Sequence, residues 1–482
     1  MVIAFIGVLL SLILLVTLAY RGHSVIVVAP LAAALALLFS GQPLLASYTQ
    51  IFMPALGGFV TKYFPLFLFG AIFGHLMTTT GLAQYLARGI TALLGTKRAI
   101  FSTVLASALL TYGGVSAWVV AFTIVPIATA LFQETGIPIR LMPAAIALGS
   151  FTFGIAALPG TPQIHNAIPT TYFGTNTYAA PVLGLVASAL MLVLGLFWLE
   201  FRVKQLHSRG EFFVPLDAQG KAIALPHISD DSTPDAPATT SGDASEAEEP
   251  SVRMQGVLGL IPIAVVVLVN FSFVYGFSRW LDTDYLGQEK FGNTSIEALL
   301  GIWSPTISLL AAIVVIIVMF PKKSAETLSQ CTQGAKNAVV PCLTTASEVG
   351  FGAVIASLAV FALIKGNMLD LSDNALIVGV ISTAVISGIT GSSSGGLSIT
   401  MQTLGEQLAQ LAHEQGISME LMHRVIAMAS VSFDSLPHNG AVLTLLIVCG
   451  MTHRLSYKDI AVCTIAIPIV GLGAIVALGA LL

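Results

Sequence analysis

Ten apolar runs of bilayer-crossing length, with charge confined almost wholly to the segments between them, dictate most of what this chain can become. They occupy 2–20, 24–40, 59–80, 141–158, 181–199, 257–277, 305–320, 339–364, 422–434 continued in 441–451, and 460–482. About 20 apolar residues cross hydrocarbon as an α-helix. Inside lipid every backbone N–H and C=O must find its partner within protein, so runs of this length are expected as helices. The expected fold class is therefore an all-α polytopic membrane protein with about ten transmembrane helices. Composition agrees: with 56% hydrophobic and 9% charged residues there is too little charge to coat a soluble surface. A net charge of −4 also argues against a nucleic-acid partner. The first run has no basic residue before it and no small-residue cleavage site, and reads as a retained helix. Cys331, Cys342, Cys449 and Cys463 lack ligand spacing, so neither a metal nor a cofactor is expected.

Two further apolar stretches are interrupted in the middle. Residues 99–132 break at Tyr112-Gly113-Gly114, and 375–411 at Gly391-Ser392-Ser393-Ser394-Gly395-Gly396. Each reads as a re-entrant helical hairpin, over 97–134 and 374–415 respectively. Gly113-Gly114-Val115-Ser116 and Gly395-Gly396-Leu397-Ser398 stand 282 residues apart, as do Phe69-Gly70 and Phe351-Gly352. Downstream, Leu158-Pro159 matches Leu436-Pro437, and His165-Asn166 matches His438-Asn439. The chain thus reads as two repeats, 1–203 and 253–482, each with a hairpin and a broken helix (139–175 and 419–453). An odd number of crossings separates Phe69 from Phe351, which inverts one repeat relative to the other. Between them, 204–252 is polar and acidic and reads as a disordered linker, since it cannot bury enough apolar surface to offset chain entropy.

Orientation follows from Lys and Arg in short loops, which mark the cytoplasmic side. Arg21, Arg88, Lys97, Arg98, Arg140, Arg202, Lys204, Arg253, Lys322, Lys323, Arg454 and Lys458 share one side if both termini lie outside and the linker lies in the cytoplasm. Arg279, Lys290, Lys365 and Arg424 do not fit that pattern. A bacterial-type inner membrane, with lipid as the surrounding partner, is the expected location.

Non-helical backbone survives at membrane depth only inside protein or beside a wet cavity. Two tips and two breaks in register therefore point to one binding site of a secondary transporter. Proline at 159, 162 and 437 frees carbonyls one turn earlier, and the helix that restarts offers N–H groups to an anion. The expected substrate-binding set is Gly113, Gly114, Val115, Ser116, Thr161, Gln163, His165, Asn166, Ser393, Ser394, Gly395, Gly396, Ser398, Ser435, His438 and Asn439. Asp434, His438 and His165 are the candidates for proton coupling. Asp434 leads because a carboxylate in lipid is expensive and the first repeat has no counterpart. Glu348, His75 and Lys62 also fall within spans, as snorkelling or interhelical residues. Sodium is the rival coupling ion, because tips of this kind can offer carbonyl oxygens to a cation. From a different class, Gly391-Ser392-Ser393-Ser394-Gly395 satisfies G-x-S-x-G, which with His438 as base would describe an intramembrane serine hydrolase. The duplication of the glycines and the histidine argues against an enzyme.

At Tyr112-Gly113-Gly114-Val115-Ser116 and Ala157-Leu158-Pro159-Gly160-Thr161-Pro162-Gln163-Ile164-His165-Asn166 the chain resembles the gluconate permease family of the ion transporter superfamily. The resemblance implies a proton symporter of hydroxy monocarboxylates, built as a homodimer with a scaffold and a mobile domain that works as an elevator. Sugar-acid members carry a Pro-Pro-His-Pro-Gly-Pro-like break, which is absent here. The smaller polar complement favours a one-hydroxyl acid such as 3-hydroxybutyrate over gluconate.

Overall fold

The computed structural model describes residues 2–21, 23–214, 251–320, 324–361, 366, 372–437 and 439–479. Most of the expected linker, and His438, lie outside the described residues. The ten expected runs fall on helices. These are α1 (Val2–Tyr20), α2 (Val25–Phe39), α3 (Leu44–Thr79), α7 (Ile139–Ala157), α10 (Pro181–His207), α11 (Val252–Trp280), α12 (Ile296–Met319), α13 (Ser324–Ser357), the broken pair α16 (Met419–Ser430) and α17 (Gly440–Val448), and α18 (His453–Gly479). Between them lie α4 (Leu82–Leu94), the hairpin α5 (Ala99–Tyr112) and α6 (Ala117–Thr135), the short α8 (Ile164–Ala167) and α9 (Thr170–Phe173), and the hairpin α14 (Ala375–Thr390) and α15 (Ser393–Glu414). Seven helices among the described residues are long and apolar enough to cross a bilayer. The chain is an all-α polytopic membrane protein.

Several helices outrun the apolar windows that announced them. The helix expected from residue 339 begins at Ser324, and the one expected from 305 begins at Ile296, where the Ser295 side chain accepts from the amide of Ala298. Polar outer turns leave no hydropathy signal, yet they complete the same backbone ladder. Helix α4 was not expected at all. Its buried residues, Leu82, Ala83, Leu86, Ala87 and Ile90, form one stripe. That stripe meets α11 closely enough that a Cβ on Gly259 would stand 2.5 Å from the Leu82 carbonyl oxygen.

Helix α10 illustrates the inside-out logic of the chain. Gly184, Ala187, Ser188, Met191, Gly195, Leu199 and Arg202 are buried, while Val182, Leu185, Val193 and Phe197 are exposed on the opposite face. Without a hydrophobic drive between helices in lipid, small residues set close packing and large apolar ones face outward. The inner face also carries a buried ion pair, Arg202 Nε to Asp459 Oδ1 at 2.7 Å, with Trp198 donating to the same oxygen. It fastens α10 to α18. Elsewhere α3 packs along α13, α2 also packs on α13, and α12 packs on α3.

Candidate functional site

The first break begins inside α7. The helix widens to a π-helix over Gly149–Ala157, the backbone leaves helical geometry within it at Thr152 (φ −121°, ψ −107°), and the helix stops at Leu158 before Pro159. Carbonyls freed there are collected by Arg424 of α16, which is fully buried. Its Nη1 donates to Ala156 O at 2.8 Å and Asn166 Oδ1 at 3.1 Å, its Nε to Ala179 O at 3.1 Å, and its Nη2 to Ala179 O at 2.8 Å and Thr177 O at 3.4 Å. The guanidinium thus rests against the C-terminal end of α7, where the helix dipole favours a cation. The neighbouring His423 lies 3.1 Å from Asn166 Oδ1 through Nε2 and 2.7 Å from Thr175 Oγ1 through Nδ1. Asn166 completes the knot by donating to the carbonyls of Thr161 and Thr177.

The first tip is tied to this break. Gly114 adopts φ +102°, open to glycine, and a Cβ there would stand 2.8 Å from Leu309. Gln163 donates to the carbonyls of Thr111 (2.8 Å) and Val115 (3.2 Å), and the Tyr112 hydroxyl donates to Pro159 O (2.9 Å). From α11, Ile263 packs on Gly113 and Asn270 donates to Gly160 O at 2.7 Å. Val115 is buried against Gly74 of α3. Ser116 precedes α6 with its hydroxyl making no capping bond. The hydroxyls of Thr111 and Thr161, and Nδ1 of His165, are buried without a hydrogen-bond partner among the described residues.

At the second tip, three consecutive serines engage three different elements. Ser392 Oγ accepts from the Gly395 amide at 3.1 Å and donates to Glu348 Oε2 of α13 at 3.0 Å. Ser393 Oγ lies 2.8 Å from His165 Nε2 of the first break and faces the Asp434 carboxylate of the second. Ser394 Oγ lies 3.3 Å from Thr345 Oγ1 of α13, while its carbonyl accepts from Ser398. Ser435 donates to Asp434 Oδ1 at 3.1 Å. Both glycines face close neighbours, and at 396 the neighbour is backbone. A Cβ on Gly395 would stand 1.8 Å from Glu348 Oε2, and one on Gly396 would stand 2.3 Å from Ser387. Asn439 caps α17 by accepting from the Val442 amide at 2.8 Å and donates to Gly391 O at 2.9 Å, fixing the tip to the break.

Both breaks and the second tip therefore meet through His165, Ser393 and Asp434, and the first tip joins them through Gln163 and Tyr112. No protein-family model matches the chain. It is 41% identical over 465 residues to the uncharacterized transporter YxjC of Bacillus subtilis strain 168, which covers 95% of each chain. The chain belongs to this transporter family. The solved structure of the Alcanivorax borkumensis YdaH transporter superposes at a TM-score of 0.36 with 17% identity, over 88% of this chain and 86% of that one.

In this transporter the candidate residues divide by what their side chains are bonded to. Gln163, Asn166 and Asn439 spend their amides on carbonyls and caps of the breaks. Thr161, His165, Ser116 and Ser393 retain polar atoms or bonds that a ligand could claim. Sequence reasoning missed Arg424 and His423 as organisers of the site, although an arginine inside the apolar run 422–434 that defied the charge bias was the available signal. Glu348 of α13 proves to rest against the second tip. Two cavities of about 190 and 470 Å³ are lined mainly by apolar side chains, and the larger, between α1 and α14, reaches Phe433 and Leu436 on either side of Asp434 and Ser435.

Proposed function

We propose that this transporter carries a small hydroxy monocarboxylate of the 3-hydroxybutyrate type by proton symport, with Asp434 as the proton carrier. The observation that carries the reading is the buried chain His165–Ser393–Asp434. A carboxylate at membrane depth has hydroxyl partners there and no basic side chain within ion-pairing distance among the described residues. A carboxylate so placed is costly unless a proton or other cation accompanies it. Its link through Ser393 to the first break joins its charge state to the geometry of both halves. The substrate class follows from what is unspent: a few hydroxyls and one imidazole nitrogen suit a carboxylate with a single hydroxyl and leave a polyol acid under-bonded. Arg424, with its donors committed to carbonyls, adds a fixed positive field that favours an anion nearby.

Alternating access would come from an elevator movement of the hairpins and broken helices α5–α9 and α14–α17 against α1–α3 and α11–α13, in a homodimer of inverted repeats. The protein would sit in the inner membrane with both termini outside. The pairing of Arg202 with Asp459 supports placing those two charged segments at one membrane face. The serine-hydrolase alternative would need an acid on the far nitrogen of the base. The expected base, His438, lies outside the described residues; the imidazole that meets Ser393 is His165, whose Nδ1 has no partner among the described residues, which favours binding over nucleophilic chemistry.

The test is uptake of labelled 3-hydroxybutyrate into proteoliposomes under an inward proton gradient. Accumulation that collapses with a protonophore is expected. Uptake no greater than in protein-free vesicles would end the substrate assignment, and uptake that follows sodium and ignores the protonophore would end the proton assignment.

A further inference from the structure

Glu348 is a buried acid in an unusual setting. It is 3% exposed on α13, its one hydrogen bond among the described residues is from Ser392, and its Oε2 lies where a Cβ at 395 would stand, 1.8 Å away. No lysine or arginine comes within ion-pairing distance among the described residues. The titratable side chains around it are otherwise engaged or distant. On α3, Lys62 rests on the rings of Tyr63 and Tyr172, and His75 is bonded to Gln330 of α13. His165 and Asp434 engage Ser393. On α15, Glu406, His413 and Glu414 lie well beyond the tip, and α12 carries Glu297 only in its first turn. Glu326, Cys331, Lys336 and Cys342 are on earlier turns of α13 itself, and α2 has no titratable residue.

An ionised carboxylate at this position would be desolvated and held by a single hydroxyl, an expensive state for a charge inside protein. Of the neighbouring hydroxyls, Ser393 is bonded to His165 and Ser394 to Thr345, so each already has a partner other than Glu348. We infer that Glu348 is a second proton carrier of the cycle, protonated while the tip Ser392–Gly395 rests on α13 and deprotonated to water when the tip withdraws. This rests on the symport reading above and extends it. The proton enters from the side of high proton activity and leaves on the other, alongside the one assigned to Asp434. Two protons then accompany one monoanion, so each cycle moves one net positive charge.

Two measurements decide it. In the first, infrared difference spectra of full-length wild type minus Glu348→Gln, in nanodiscs with potassium buffer at neutral pH, are expected to contain the carbonyl band of a protonated acid that vanishes as pH rises. Ser392→Ala should shift the titration of that band, and it serves as the comparison if Glu348→Gln does not fold. An ionised-carboxylate signature at neutral pH, or a band that responds to sodium and not to pH, overturns the inference. In the second, uptake of 3-hydroxybutyrate at a fixed pH gradient should rise several-fold when a potassium diffusion potential makes the lumen negative. Glu348→Gln should lower uptake and leave the remainder indifferent to that potential. A wild type that transports without responding to potential refutes the two-proton cycle. Failure of 3-hydroxybutyrate to enter, with the acid band intact, overturns the substrate and leaves the Glu348 assignment standing.

Discussion

Replacing Arg424 with lysine tests the claim that one side chain organises the first break. Arg424 makes five hydrogen bonds to four oxygens spread over Ala156, Asn166, Thr177 and Ala179. A lysine ammonium has three donors at a single point and cannot straddle acceptors on both sides of the break. At about 1.5–3 kcal/mol for each bond to a charged group, losing two should cost about 3–6 kcal/mol, the lower figure if water enters. The charge is retained, so the loss isolates geometry from electrostatics. Full-length Arg424→Lys should unfold well before wild type in a detergent-denaturant titration, and transport should fall with it because Asn166 and His165 lose their frame. Arg140→Lys is the control. Its contacts with Glu211, at 3.4–3.5 Å, join two partly exposed side chains, and such pairs contribute about 1 kcal/mol or less. If Arg424→Lys unfolds with wild type, or if the two variants lose equal stability, the carbonyls of the break are not held as described.

Further tests address other parts of the molecule. Asp434→Asn, with its proton affinity removed, should lose the acceleration of uptake by an inward proton gradient, and an unchanged pH dependence would remove Asp434 from the coupling role. Gly395→Ala should impair transport, because its Cβ would displace the Glu348 carboxylate from 1.8 Å, whereas Gly57→Ala, with nothing within 4 Å, should be neutral or stabilise α3 by up to about 1 kcal/mol. Comparable activity in the two alanine variants would contradict the close contact at the second tip. Arg202→Met should cost roughly 3–5 kcal/mol by stranding buried Asp459, and Arg202→Met with Asp459→Leu should recover part of that loss in the same unfolding assay. Additive losses would argue against the pair.

The class of protein, the sites of the crossings and the two interruptions were legible in the residues because each rests on local physics. Lipid requires a self-satisfied backbone, apolar length measures a crossing, and glycine and proline mark where a helix cannot continue smoothly. The amphipathic α4 and the outer turns of α12 and α13 escaped notice because they sit where polar residues are tolerated and hydropathy no longer discriminates. The candidate site divided along a similar line. That Ser393, His165 and Asp434 belong to one region followed from the matched tips and breaks. That Asn166, Gln163 and Asn439 are bonded to the breaks themselves, that Arg424 gathers carbonyls from the other half, and that Glu348 lies against Gly395 depended on the fold. Hydrogen-bond partners such as Asn166 and Arg424 are 258 residues apart in the chain. No local pattern encodes which buried donor meets which freed carbonyl, because packing the two halves together is what brings them within reach.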